Sequence, residues 1–124
     1  MIGSIWASPW TCLGALLARA GGCARAGTID KAVAYVAPRR GPWAWFFAKG
    51  WAAIAFGESI IFADAAHLGN VRLLRHELRH VMQYRILGPL FPLVYGLGSA
   101  WAWIRGGHHY RDNFLERDAR NAAE

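Results

Sequence analysis

The chain has 124 residues, of which 55% are hydrophobic and 18% charged, with a formal net charge of +6; this is the length of one domain and too apolar for intrinsic disorder. Two cysteines, Cys12 and Cys23, exclude a disulfide framework and are read as free thiols rather than one bridge. The arginines that carry most of the positive charge are scattered and form no nucleic-acid motif, so a nucleic-acid partner is excluded and an anionic membrane surface remains as a partner for peripheral contact.

Met1 to Ala18 carries no charged side chain and lacks the positive flank of a secretory leader, although a cleaved leader ending near Cys23-Ala24-Arg25-Ala26 is an alternative. Ser8-Pro9 reads as an N-cap followed by proline at the first helical position. A helix is therefore expected over 9–20, closed by Gly21-Gly22. Residues 28–37 fit a short helix or a strand equally. Pro38-Arg39-Arg40-Gly41-Pro42 is a loop. Aromatic and β-branched runs at 43–47, 51–56 and 59–63, divided by Lys49-Gly50 and Gly57-Glu58, predict hairpin strands across 43–63. The competing reading is a helix over 43–55, where alanine is frequent.

After a loop at 64–69, residues 70–86 give the clearest helical pattern, with Asn70 as N-cap and Gly88-Pro89 as the stop. At roughly 100° per residue, Leu74, Leu78 and Val81 fall on one face and Arg72, Arg75 and Arg79 on another. His76, Glu77, His80 and Tyr84 share the remaining side. Residues 86–104 contain no charged side chain. They are long enough to span a bilayer, but Pro89, Pro92, Gly96 and Gly98 favour a buried or interfacial apolar helix over 90–104. A polar helix over 113–123 closes the chain. The sum is an α+β fold: N-terminal helix, short antiparallel hairpin sheet, chemistry-bearing helix, apolar helix and C-terminal helix.

The run His76-Glu77-Leu78-Arg79-His80 acquires meaning on a helix, where residues four apart project from one face. Two imidazoles can then meet one zinc ion, with Glu77 beside them as general base toward a water molecule. A catalytic zinc site needs a third protein ligand. His108, His109, Asp112, Glu116 and Asp118 compete for that place. Glu116, in the first turn of the last helix, is favoured. Asn113 with Glu116 three residues later also fits a reciprocal helix cap, which would turn Glu116 back to the helix start. Tyr84, His109 and Tyr110 are weak candidates for an oxyanion donor, since packing is the commoner role of such residues.

His76-Glu-Leu-Arg-His80-Val-Met-Gln83-Tyr84, followed by Asn113-Phe-Leu-Glu116-Arg-Asp-Ala119, resembles the gluzincin branch of the zincin metallopeptidases. It is most similar to small bacterial domains of unknown function that carry this helix and a later Asn-x-x-Glu segment. The resemblance runs over about 55 residues, from Asp64 to Ala119. It implies a minimal zincin-like fold, Zn2+ as cofactor, His76, His80 and Glu116 as ligands, Glu77 as base, and a peptide or protein substrate. It also implies that an extended substrate pairs with a strand drawn from residues 51–63. Two features depart from the pattern. Arg120 stands where gluzincins often have an aspartate that orients a ligand histidine, and Asp118 stands where the small domains usually have glutamate.

The expected function is thus a zinc-dependent hydrolase of peptidase type, cytoplasmic or membrane-associated. The alternative is a non-catalytic zinc-binding or membrane-associated interaction module. For the latter, Arg72, Arg75 and Arg79 with Trp101, Trp103 and Arg105 would supply the membrane-facing surface.

Overall fold

The computed structural model describes residues 2–108, 110 and 113–123. Helix α1 (Ile2–Ala20) is followed by strands β1 (Ala24–Ile29) and β2 (Ala32–Val36), helix α2 (Pro42–Phe47), strands β3 (Ala53–Phe56) and β4 (Ser59–Phe62), and helices α3 (Val71–Leu87), α4 (Phe91–Ile104) and α5 (Phe114–Ala123). The fold is α+β, as expected. The sheet is mixed, with strand order β1-β2-β4-β3. Two antiparallel hairpins, β1–β2 and β3–β4, are joined by a parallel pairing of β2 with β4. The β3–β4 hairpin is the one read from the sequence, turning at Gly57 with φ 60°.

Segment 28–37, which the sequence left undecided, belongs to the first hairpin. Its turn uses Asp30 and Lys31, both at positive φ (50° and 70°). A two-residue turn of that hand matches the twist of the strands it joins. No glycine marks it, which hid it from sequence reading.

Two expectations are corrected. Residues 43–47 form helix α2, not a strand. Pro42 occupies the start of the helix, where its fixed φ fits and its missing N–H costs nothing. The aromatics then fall at i, i+3 and i+4. Trp43, Phe46 and Phe47 pack on one another with ring centroids 5.3–5.8 Å apart, and the Trp43 indole donates to the Leu17 carbonyl at 2.9 Å. Helix α1, in turn, begins seven residues earlier than Pro9 suggests. Proline inside a helix leaves the carbonyl four residues back without a donor. The Ser8 hydroxyl supplies one to Ile5 O at 2.7 Å, so Ser8 mends the helix instead of capping it.

Central strand β4 is wholly buried, with Ile60, Ile61 and Phe62 at 0% exposure; each contributes about 1.5–3 kcal/mol of burial. On one side of the sheet Val81, Leu73, Leu74 and Leu78 of α3 pack on Ala32, Ala34, Ile60 and Phe62, as the predicted core stripe requires. On the other, α1 and α2 cover Tyr35 and Ile61. Glu58 ties the layers together by accepting from Arg85 Nε at 2.7 Å and from Ser4 Oγ at 3.0 Å.

Helix α3 starts where the cap predicts, with the Asn70 side chain accepting from Leu73 N at 3.1 Å. It stops at Gly88, whose φ is 56° and against which the Trp6 ring lies so closely that a β-carbon would collide. The chain then enters α4. Phe91, Gly98 and Ala102 face inward, but Leu90, Leu93, Leu97, Trp101 and Ile104 lie exposed at three- and four-residue spacing. The apolar helix is therefore half covered, not buried all round. Val71–Ile104 taken as one helical run is long and apolar enough to cross a membrane by length and composition; the turn at Gly88–Leu90 divides it.

Candidate metal centre

Helix geometry brings His76 and His80 together: their rings meet edge to face with centroids 4.9 Å apart. The partner comes from α5. Glu116 Oε1 lies 3.0 Å from His80 Nε2 and 3.3 Å from His76 Nε2. One ligand atom from each of the three residues falls within 4.8 Å of the others. Two imidazoles and one carboxylate are the donor set of a catalytic zinc site with an open fourth position, so the residues present fit a divalent metal.

Several contacts deliver Glu116 to this point. Asn113 is fully buried. Its Oδ1 accepts from Leu115 N at 2.9 Å, capping α5, and its Nδ2 donates to Tyr95 O and Ser99 Oγ, both at 2.8 Å. This fixes the start of α5 against α4, where Gly98 leaves room for Asn113 and Phe114. The capping alternative is thereby half right. Asn113 caps the helix, and Glu116 does not reach back but faces the histidines. Tyr95 then donates its hydroxyl to Glu116 Oε2 at 2.7 Å, leaving Oε1 for the two imidazoles. Tyr95 escaped the sequence reading because it lies within an apolar run, with no spacing that marks it.

The orientation of His80 is also set. Gln83 Nε2 donates to Leu115 O and to Asp118 Oδ2, both at 2.9 Å. The amide oxygen of Gln83 must therefore be the atom 2.9 Å from His80 Nδ1, so Nδ1 carries the proton. Nε2 is left to face the metal position, as ligating histidines require. Asp118 is held in turn by Arg79, with Nε–Oδ2 at 2.7 Å and Nη2–Oδ1 at 3.1 Å. Arg120 thus does not leave His80 unsupported: Gln83, backed by Asp118 and Arg79, performs the orienting task. The signal was a glutamine three residues after His80 on the same helix.

Electrostatics follow from burial and proximity. Burial works against the charged form of His80, but Glu116, helped by Glu77 and Gln83, pushes its pKa up to about 9. Burial likewise opposes ionised Glu116, yet hydrogen bonds from His76, His80 and Tyr95 hold its carboxyl well below the usual range. Without metal the cluster is an ion pair. Glu77, 5% exposed, has its carboxyl raised by burial, partly offset by His80 and His76.

Two cavities flank the site. One, of about 620 Å³, is lined by Lys49, Trp51, Asn70, Arg72, His76 and Arg120. The other, of about 340 Å³, is lined by His80 and Glu116 at one end and by aromatic residues at the other. Glu77, Trp51, Ala53 and Tyr110 border both. Strand β3 runs along them and is an edge strand whose outer side pairs with no other strand among the described residues. Tyr110 packs edge to face on Trp51 at 4.9 Å. Tyr84 is a packing residue, stacked on Phe91 with centroids 3.8 Å apart. His109 and Asp112 lie outside the described residues. His108 is exposed and accepts from Tyr110 N at 3.1 Å; neither it nor Asp118 joins the cluster.

Residues 39–87 match the eCIS core domain, roughly two fifths of the chain. The matched segment contains α2, the β3–β4 hairpin and α3, hence His76, Glu77, His80 and Gln83, but not Glu116. Comparison with curated proteins gave no match, and neither did comparison with solved structures.

Proposed function

We propose that this chain is a zinc-dependent hydrolase acting on peptide bonds, with His76, His80 and Glu116 as metal ligands and Glu77 as general base. The observation that carries this reading is the meeting of Glu116 Oε1 with both histidine Nε2 atoms beside a buried glutamate. Zinc held there would act as a Lewis acid and make water a stronger acid near neutral pH.

The chain's own residues account for the rest. The unpaired edge of β3 offers backbone donors and acceptors to an extended substrate, which would lie along Glu77. Glu77 takes a proton from the attacking water, and its raised carboxyl suits it to hold that proton and pass it to the leaving amine. In sum, water adds across the C–N bond: hydroxyl goes to the carbonyl carbon and hydrogen to the amine. Tyr110, which borders both cavities and hydrogen-bonds Glu116, would turn its hydroxyl to the carbonyl oxygen as negative charge develops on it. The experiment that tests the reading is incubation of the zinc-loaded protein with unfolded polypeptide beside its Glu77→Gln variant. Cleavage by the first and not the second is expected, and equal cleavage by both would refute the role of Glu77.

A second reading, peripheral contact with an anionic membrane, is favoured by the exposed row Leu90, Leu93, Leu97, Trp101 and Ile104, ending at Arg105. Of the basic stripe expected to join it, Arg79 is engaged with Asp118. Co-sedimentation with vesicles containing phosphatidylserine, lost in Leu97→Glu, is the expected result; binding unaffected by that change would remove this reading.

A further inference from the structure

The larger of the two cavities at the metal centre is cationic. Lys49 reaches it from the turn after α2, Arg72 from the first turn of α3 and Arg120 from α5. Among the described residues that line it, Glu77 is the single acidic side chain. Lys49 and Arg72 are exposed and Arg120 is part-buried, so the positive charge stands around an open space. A cleft lined by one sign of charge focuses its field on whatever enters. Guanidinium groups add a planar fork of donors that matches a carboxylate.

Two of these cations stood out in the sequence for other reasons. Arg120 occupies the place where gluzincins often carry an aspartate, and it lies outside the segment that matches the eCIS core domain. Arg72 belonged to the basic stripe expected to face a membrane, yet it lines this cavity. The position of the cavity links it to the cut. Trp51, Ala52 and Ala53, at the start of β3, border it together with Glu77. A peptide paired with the free edge of β3 therefore continues from the bond at Glu77 across this space. The cavity measures about 620 Å³, which at about 3.3 Å per extended residue takes about two residues.

We infer that this cavity is an anion subsite, and that the substrate carries a carboxylate within about two residues of the bond to be cut, on the side of Lys49 and Trp51. The inference rests on the peptidase reading for the cut itself, but binding of the carboxylate does not. An aspartate or glutamate side chain and a free C-terminus offer the same group, and the measurements separate them.

Two measurements test this. In the first, the zinc-loaded protein digests one peptide library with both termini blocked and one with free C-termini, with Glu77→Gln as blank. In the blocked library aspartate or glutamate is expected near the cut, on one side, with about a tenfold preference over asparagine or glutamine; part-exposed ion pairs are each worth little but add up to this. The preference is expected to fade near 1 M salt, where the screening length falls to about 3 Å. Arg120→Gln is expected to reduce it about threefold, and the double variant Lys49→Glu, Arg72→Glu to turn it toward lysine. Cutting near the end of free peptides alone assigns the carboxylate to the C-terminus. Cuts that depend on Glu77 but ignore carboxylates in both libraries overturn the subsite and leave the peptidase reading standing. In the second, the zinc-loaded protein is titrated with N-acetyl-glutamate amide, N-acetyl-glutamine and N-acetyl-glutamine amide, and the Trp51 indole is followed by NMR. Shifts with either carboxylate but not with the neutral amide, lost in the double variant, support the subsite even where no peptide is cut. Their absence, or shifts that survive in the double variant and so come from the metal, overturns it.

Discussion

Replacing Gln83 by leucine keeps the volume of the side chain and deletes its three hydrogen bonds. His80 Nδ1 loses its acceptor, and the Leu115 carbonyl loses a donor, each at 2.9 Å and in a buried setting. Asp118 loses one donor but keeps Arg79. The Leu115 carbonyl keeps its helical partner within α5, so the one orphaned group is the His80 N–H, and the stability loss in the metal-free protein is about 1–3 kcal/mol. With its proton position and ring angle no longer fixed, His80 becomes a poorer ligand. Loss of such an orienting partner weakens metal binding by about 10–100-fold, or about 1.4–2.7 kcal/mol. The assay is competition for zinc against a chromophoric chelator, paired with thermal unfolding without metal. Gln83→Glu separates the two effects. It keeps an oxygen toward His80 but sets a second carboxylate against Asp118, so it is expected to lose stability while retaining more zinc affinity than the leucine variant. Wild-type affinity in Gln83→Leu would refute the orienting role.

Other expectations follow from the same geometry. Tyr95→Phe removes the 2.7 Å hydrogen bond to Glu116 Oε2 and is expected to weaken zinc binding by about tenfold, measured by the same competition; no change would mean that Glu116 is positioned without Tyr95. Zinc must displace the His80 proton, whose pKa is raised to about 9, so apparent affinity is expected to rise about tenfold per pH unit below about pH 9 and level off above it. The metal-free protein behaves oppositely. The contribution of His80, whose folded pKa is raised, is complete below its unfolded value near 6.5 and lost as pH climbs through about 9, so unfolding midpoints without metal are expected to fall over that range. Glu58→Ala removes the carboxylate from Arg85, which is part-exposed and keeps its bond to the Asp30 carbonyl at 2.9 Å, and is expected to cost about 1–3 kcal/mol by denaturant unfolding.

Much of this arrangement is legible in the residues themselves. The long periodic helix with its asparagine cap stands where it was expected, because cap, apolar stripe and Gly-Pro stop all agree. The β3–β4 hairpin was readable from Gly57-Glu58 between β-branched runs. Errors came where local signals compete. Trp43-Ala-Trp-Phe-Phe suits a strand by composition, and only the packing of three rings on one face together with Pro42 at the start makes it a helix. Pro9 looked like a beginning because nothing in a linear reading shows that Ser8 can serve the Ile5 carbonyl. For the site, His76, Glu77 and His80 follow from helical spacing. Glu116 needed a long-range contact that spacing cannot provide, and Tyr95 acts through a tertiary hydrogen bond alone, whereas Gln83 stands three residues after His80 on the same helix.

Metal content of the purified protein tests the central assignment most directly. After dialysis against trace zinc, one equivalent per chain is expected in the wild type and in Glu77→Gln, with less than about a tenth of that occupancy in His80→Ala and Glu116→Ala. A chain that holds no zinc, or one whose zinc survives loss of His80 and Glu116, would contradict the account.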